Sequence, residues 1–281
     1  MLPRRVFVLL ALALACAGED VPNTASPAAA PDLDLDIALS TPHPAGTEEN
    51  MSESLRVLVT GFNDWKDLGD PPNVWRCRDN PSCRLLLGDE TAARPDTHAG
   101  PLVELLTGHA TTAEGRAITW TFGTMPVTWG VADTVPDYDS YDVVVHVGLG
   151  VYDTFSVLKL EDGAFNQRKG TDAAGREADE AIASGSGEVL DAPEGTDIAA
   201  RVRSLDGHTF GAYTLQVARA RPENSYLCNE THFRALERVD ASVASGGRLR
   251  HAYFLHIPYA EEDDYARLAR GVAGVVIALV G

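Results

Sequence analysis

Basic side chains are in short supply: 23 lysines and arginines stand against 41 aspartates and glutamates, for a formal net charge of −18. They gather into no stripe, which excludes a nucleic-acid partner, because phosphate binding relies on neutralising cations. Long apolar runs near the start are lacking too. The run from Val6 to Ala15 is too short to span a bilayer as a helix of the mature protein. Cysteine is scarce, with only Cys16, Cys77, Cys83 and Cys228. No Cys-x-x-Cys pair or accompanying histidine set exists, which argues against a zinc site. Residues 55–281 lack repeats and low-complexity breaks, and their length suits one domain with a substantial core.

What is present begins with a leader. Met1-Leu2-Pro3-Arg4-Arg5 is charged, Val6–Ala15 is apolar, and Cys16 sits between alanines. This is the layout of a signal peptide over residues 1–15, and export is the expected fate. Leu14-Ala15-Cys16 resembles the processing site of bacterial lipoproteins, which implies lipidation of Cys16; ordinary cleavage near Ala15 is the alternative. Residues 16–54, rich in Pro, Ala, Ser, Thr and acids, read as a flexible tether. The expected location is secreted or periplasmic, with a lipid anchor as the membrane contact.

An oxidising compartment permits a small disulfide loop between Cys77 and Cys83. Cys228 is then the thiol left over. In an exported protein such a thiol is either buried and inert or reactive.

The body alternates strand-like and helix-like segments. Leu55–Thr60, Asp142–Gly148, Thr214–Ala218 and Ala252–Ile257 read as strands, and the continuous run Val143–Val147 suits a strand buried on both faces. Helical patterns cover Pro101–Leu106, Asp197–Leu205, Glu230–Val239 and a final stretch from Glu261, where Tyr265, Leu268, Val272, Val275 and Leu279 recur at helical spacing. The expected fold is a single-domain three-layer α/β/α sandwich with a mixed, mostly parallel central sheet. Such folds place functional residues at the carboxyl ends of strands.

Cys228 precedes the helical stretch that starts at Glu230, where the positive end of a helix favours the nucleophilic thiolate. His256 ends a strand and is followed by Pro258, so it can shuttle a proton between thiol and leaving amine. Glu161 or its neighbour Asp162 supplies a carboxylate to orient that histidine; proximity in sequence leaves both open. His146, inside the Val-rich strand, reads as a structural histidine satisfied by a backbone carbonyl. His208, His232 and His251 read as surface residues.

Together these segments resemble the pyroglutamyl peptidase I (pyrrolidone-carboxylate peptidase) family. Val57-Leu58-Val59-Thr60-Gly61-Phe62 is similar to its opening strand, Met125-Pro126-Val127 to its short strand before a helix, and His146-Val147-Gly148 to a central strand end. Glu161 with Asn166 and Asp172-Ala173-Ala174-Gly175, Tyr226-Leu227-Cys228-Asn229, and Phe254-Leu255-His256-Ile257-Pro258 follow in the family's order. The resemblance implies a cysteine peptidase that removes an N-terminal pyroglutamyl residue from a peptide or small amide, without metal or organic cofactor. It implies Glu161, Cys228 and His256 as the catalytic set and favours Glu161 over Asp162. It also implies a ring-gripping pocket that includes Phe62, Trp65, Gly148, Leu149 and Leu227.

Departures surround that pocket. Gly61-Phe62-Asn63-Asp64-Trp65 replaces the family's glycine-phenylalanine-glycine-proline-phenylalanine, and either Asn73 or Asn80 matches its following asparagine. Pro222-Glu223-Asn224 stands before Ser225 where the family has a serine-alanine-glycine run; Asn224 fills space that glycine leaves, and a Glu223 facing the site would disfavour a thiolate. A noncatalytic envelope lipoprotein, binding a cyclic or N-terminal ligand in the inherited pocket, is the alternative these changes raise.

Overall fold

Every residue of the stretch Val143–Val151 is buried, and it forms a central strand of a seven-stranded sheet. The computed structural model describes residues 54–63, 77, 80–88 and 98–281. The leader, Cys16, the tether, Trp65 and Asn73 fall outside the described residues. The strands are β1 (Leu55–Phe62), β2 (Ile118–Met125), β3 (Val143–Val151), β4 (Val157–Asp162), β5 (Ala164–Phe165), β6 (Arg168–Thr171), β7 (Glu177–Glu180), β8 (Val189–Leu190), β9 (Thr209–Phe210), β10 (Tyr213–Arg219) and β11 (His251–Pro258). The helices are α1 (Pro81–Leu87), α2 (Pro101–Gly108), α3 (Ile198–Ser204), α4 (Leu227–Ser245) and α5 (Tyr265–Val280).

The main sheet runs β2-β1-β3-β11-β4-β10-β9. Its first four strands are parallel, β4 is antiparallel to β11 but parallel to β10, and β9 returns antiparallel. This is the mixed, mostly parallel α/β sandwich that the alternating pattern implies. Side chains alternate between the faces of each strand. One face carries Thr60, His146, Phe254 and Glu161 and is covered by α4, whose Phe233, Leu236 and Val239 are fully buried. The other is covered by helices that include α1, α3 and α5: a Cβ on Gly61 would meet Ser82 O of α1 at 2.7 Å, and one on Gly271 of α5 would meet the Tyr213 ring at 2.4 Å. Those close approaches explain glycine at both places.

Three element boundaries stand out against the sequence reading. Helix α4 begins at Leu227, so Cys228 lies inside its first turn, and the ladder starts with Glu230 N donating to Tyr226 O. The stretch Asn229-Glu230-Thr231 looks like a solvated, polar helix start in sequence, yet all three residues are buried. At the C-terminus, Glu261–Asp263 form a separate short turn because Glu262 and Asp263 adopt positive φ; α5 follows, capped by the Asp264 carboxylate accepting from Arg267 N at 2.9 Å. Met125 likewise ends the long strand β2 and does not belong to a short one.

Cys77 and Cys83 form a disulfide, as their spacing permits. It is buried against Leu87 of α1. The same short helix ties down the end of β1: Asn80 Nδ2 donates to Asn63 O at 2.8 Å, and Phe62 N donates to Ser82 Oγ at 3.0 Å.

Leu236→Ala should lower the unfolding free energy by about 2–5 kcal/mol, since truncating a fully buried leucine leaves a cavity between α4 and the sheet; urea unfolding followed by circular dichroism measures the loss.

Candidate active site

The pleat of β4 separates Glu161 from Asp162. Glu161 points to the α4 face and Asp162 to the other, where Arg203 Nε of α3 donates to Asp162 Oδ2 at 2.9 Å. On the α4 face, Glu161 Oε1 meets His256 Nε2 of β11 at 2.5 Å, with both side chains nearly inaccessible. Asn224 Nδ2 donates to the same carboxylate oxygen. Asn224 thus fills the room a glycine would leave with a side chain that holds Glu161. Its φ is not positive, so no glycine-like backbone is required there. Glu223 is exposed.

Cys228 and His256 share a floor made by two glycines of β3. A Cβ on Gly148 would lie 3.2 Å from Cys228 Sγ, and one on Gly150 would lie 1.9 Å from His256 Nδ1. Gly148 and Gly150 are two residues apart on one face, about 6–7 Å along the strand. Sulfur and imidazole therefore occupy neighbouring places above bare backbone, and side chains at either glycine would expel them. Register completes the row: Gly148 pairs with His256, and His256 with Lys159 of β4, two residues from Glu161. Thiol, imidazole and carboxylate are set across three adjacent strands.

Apolar side chains pack around Cys228. Phe62, Met125, Val127, Trp129, Val131, Leu227 and Phe254 form one buried cluster with it, and the Phe62 and Phe254 rings are 6.3 Å apart. Of the residues the resemblance implies for the pocket, Phe62 and Leu227 are in this wall and Gly148 is in the floor. Strand alternation turns the Leu149 side chain to the opposite face, so only its backbone borders the site.

Trp129 escaped the sequence reading, and Tyr226, Phe254 and Asn224 were named in it without the contacts they make. Trp129 is fixed by a compact clamp: its N–H donates to Asp172 Oδ2 at 3.0 Å, its indole donates to Arg176 O at 2.9 Å, and Arg176 Nη2 donates to Trp129 O at 2.9 Å. The motif Asp172-Ala173-Ala174-Gly175 was the available signal, because Asp172 and the tight turn at Gly175 form this clamp. The Trp129 ring meets the edge of Tyr226 at 5.3 Å. Polar anchors hold the first turn of α4 in place. Asn229 exchanges bonds of 2.7 Å with both backbone groups of Phe165, while Glu230 accepts from Gly130 N at 2.9 Å and from Arg168 Nη1 at 3.1 Å.

The other histidines divide differently from the sequence reading. His146 is structural, but its partners are side chains: Thr60 Oγ1 at 2.6 Å and Tyr138 OH at 2.7 Å. Burial, with His232 as a lesser cause, lowers its pKa to about 3. His208 is exposed and His251 half-buried, whereas His232 is buried one helical turn after Cys228, edge-on to Phe254. The helix turn aims it at the sheet, which no local pattern reveals. Burial lowers its pKa to about 4 against the opposing attraction of Glu161. His232 Nδ1, Glu161 Oε2 and Asn224 Oδ1 are all buried without a hydrogen-bond partner, a concentration of unsatisfied groups that structures tolerate at working sites.

A carboxylate holding one nitrogen of an imidazole, near a thiol at a helix start, is the equipment for nucleophilic acyl transfer. The class defined so far is an α/β sandwich with a Cys-His-Glu constellation at its strand ends. No family model and no curated protein matches the chain. Solved structures do. Pyroglutamyl peptidase I from Bacillus amyloliquefaciens is 18% identical with a TM-score of 0.51, covering 80% of this chain and 97% of that one. A mutant pyrrolidone carboxyl peptidase from the hyperthermophile Pyrococcus furiosus is 18% identical with a TM-score of 0.52, covering 80% and 98%. Pyrrolidone carboxyl peptidase from Thermococcus litoralis is 16% identical with a TM-score of 0.50, covering 80% and 92%. At these identities the likeness is one of fold.

Two measurements follow. Gly150→Ala should displace the imidazole and abolish the far-downfield NMR proton signal of the His256–Glu161 hydrogen bond, which the unaltered protein should display. His146 and His232 should remain neutral at pH 5, where an ordinary histidine of pKa 6.5 is mostly protonated. Because these rings take up protons only on unfolding, their stabilising contribution is whole above pH 6.5 and is lost as pH falls toward about 4 and then about 3. Thermal unfolding across that range, compared with His146→Gln, checks the sign.

Proposed function

We propose that the chain is a cysteine-type omega-peptidase that hydrolyses the amide bond after an N-terminal pyroglutamyl or similarly blocked residue. The observation that carries this reading is the 2.5 Å contact of Glu161 with His256, made between residues 95 apart in sequence, together with the seating of Cys228 over the neighbouring glycine of the shared floor. The fold of the pyroglutamyl peptidases named above supports it further.

In this reading His256 takes the thiol proton of Cys228, and the sulfur attacks the carbonyl that joins the blocked residue to the next. Glu161 keeps the imidazole oriented and stabilises its charged form. Backbone N–H groups of the first turn of α4 steady the oxyanion. The carbon–nitrogen bond breaks as His256 protonates the departing amine, leaving a thioester on Cys228. Water, deprotonated by His256, then releases the acid and restores the thiol. The apolar wall of Phe62, Trp129 and Leu227 accepts the small ring. The Cys77–Cys83 disulfide supports an oxidising compartment, and with it the reading of residues 1–15 as an export signal and of Cys16 as a lipid attachment point.

A chromogenic pyroglutamyl amide and a panel of unblocked aminoacyl amides test the activity. The unaltered enzyme should cleave the first alone. Cys228→Ala and His256→Ala should lose roughly three orders of magnitude or more in kcat, and Glu161→Gln about two to four. Turnover that survives Cys228→Ala, or none on any substrate, overturns the proposal.

A further inference from the structure

Five large hydrophobic side chains are exposed among the described residues, and three of them, Tyr152, Phe155 and Tyr259, lie close to the site in the chain. They are 39%, 50% and 38% accessible. Register explains their grouping. Val151 of β3 pairs with Pro258 of β11, so Tyr152 and Tyr259 are the next residues outward on adjacent strands, and their ring centroids are 6.4 Å apart. Phe155 lies in the connection from β3 to β4, two residues before β4, which runs antiparallel to β11 with His256 opposite Lys159. Two neighbouring strand ends thus carry aromatic rings just beyond Gly150 and His256, and the exposed Phe155 follows in the adjoining connection.

The direction of the proposed reaction assigns this edge. Most of the apolar wall for the blocked residue comes from the end of β1 (Phe62) and from the end of β2 and the segment after it (Met125, Val127, Trp129, Val131), with Phe254 added from β11. His256 belongs to β11, which lies on the other side of β3 from β1. The proton held by His256 must reach the leaving nitrogen, so the departing chain lies toward β11 and runs out past its end. We propose that Tyr152, Phe155 and Tyr259 form a subsite for an aromatic or large apolar residue immediately after the scissile bond. The inference rests on the peptidase reading above. Exposed Asp153 and Glu262 lie near the patch in the chain, while Glu261 is paired with Arg267 at 2.7 Å. A charged side chain at that place in the substrate is disfavoured because the aromatic rings offer it no hydrogen-bonding partner.

The test uses the full chain and peptide amides of the form pyroglutamyl-X-amide, with X as phenylalanine, alanine or aspartate, competed in one reaction and followed by chromatography. The unaltered enzyme should prefer phenylalanine to alanine by about tenfold in kcat/KM, the size expected for filling an apolar subsite, and aspartate should fall below alanine. In the double variant Phe155→Ala/Tyr259→Ala the ratio of phenylalanine to alanine should drop to about two or less. Because the ratio is measured on one protein sample, partial misfolding cancels. A ratio near one in the unaltered enzyme, or one that survives the double variant, overturns the subsite while leaving the peptidase reading intact. Failure to cleave any of the amides overturns the peptidase reading, and the subsite falls with it.

Discussion

The contact between Glu161 and His256 depends on a sheet in which β11 is inserted between β3 and β4. Parallel pairing with β3 brings the carboxyl end of β11 over Gly148 and Gly150, and antiparallel pairing with β4 brings Glu161 to its other side. Neither neighbour could be exchanged without separating the imidazole from the thiol or from the carboxylate. The bare backbone of Gly148 and Gly150 is an equal requirement, because the volume a side chain would fill is occupied by Cys228 and His256.

The nucleophile end is built by polar groups. Asn229, Glu230 and Asn224 are buried, and burying such groups is costly unless each finds a partner. Asn229 finds the Phe165 backbone, Glu230 finds Gly130 N and Arg168, and Asn224 finds Glu161. These bonds pin the first turn of α4 to the segments at Phe165 and Gly130 and to β6. They orient Cys228 through the elements around it, and they account for polar residues at positions that a helix packed only by apolar contacts would give to leucine or valine.

Much of the fold was legible because its signals are local. The valine run of β3 and the helical spacing of α5 each reflect burial by a period that a short window contains. The disulfide was legible from spacing. The start of α4 was read three residues late because its buried polar residues imitate a solvated helix end, and His232 was misread because its burial comes from packing between helix and sheet. Trp129 carries no pattern of its own, and Tyr226 and Phe254 were legible only as motif members; they join the wall through strand ends and a turn clamp from distant parts of the chain. The two acids at the end of β4 show the limit most directly. Adjacent in sequence and alike in chemistry, Glu161 and Asp162 are parted by the pleat, one to His256 and the other to Arg203.

By itself, then, the sequence determined four strands of the main sheet, four of the helices, the reactive residue types in their chain order, Gly148 of β3 and a cysteine pair close enough to bridge. Those properties follow from composition and spacing along one chain. Tertiary structure decided which face each side chain joins, which histidine meets a carboxylate, and that Asn224 holds Glu161 where a glycine was the expectation. Each of those outcomes depends on registers between strands far apart in sequence, where a shift of one residue turns every side chain to the other face.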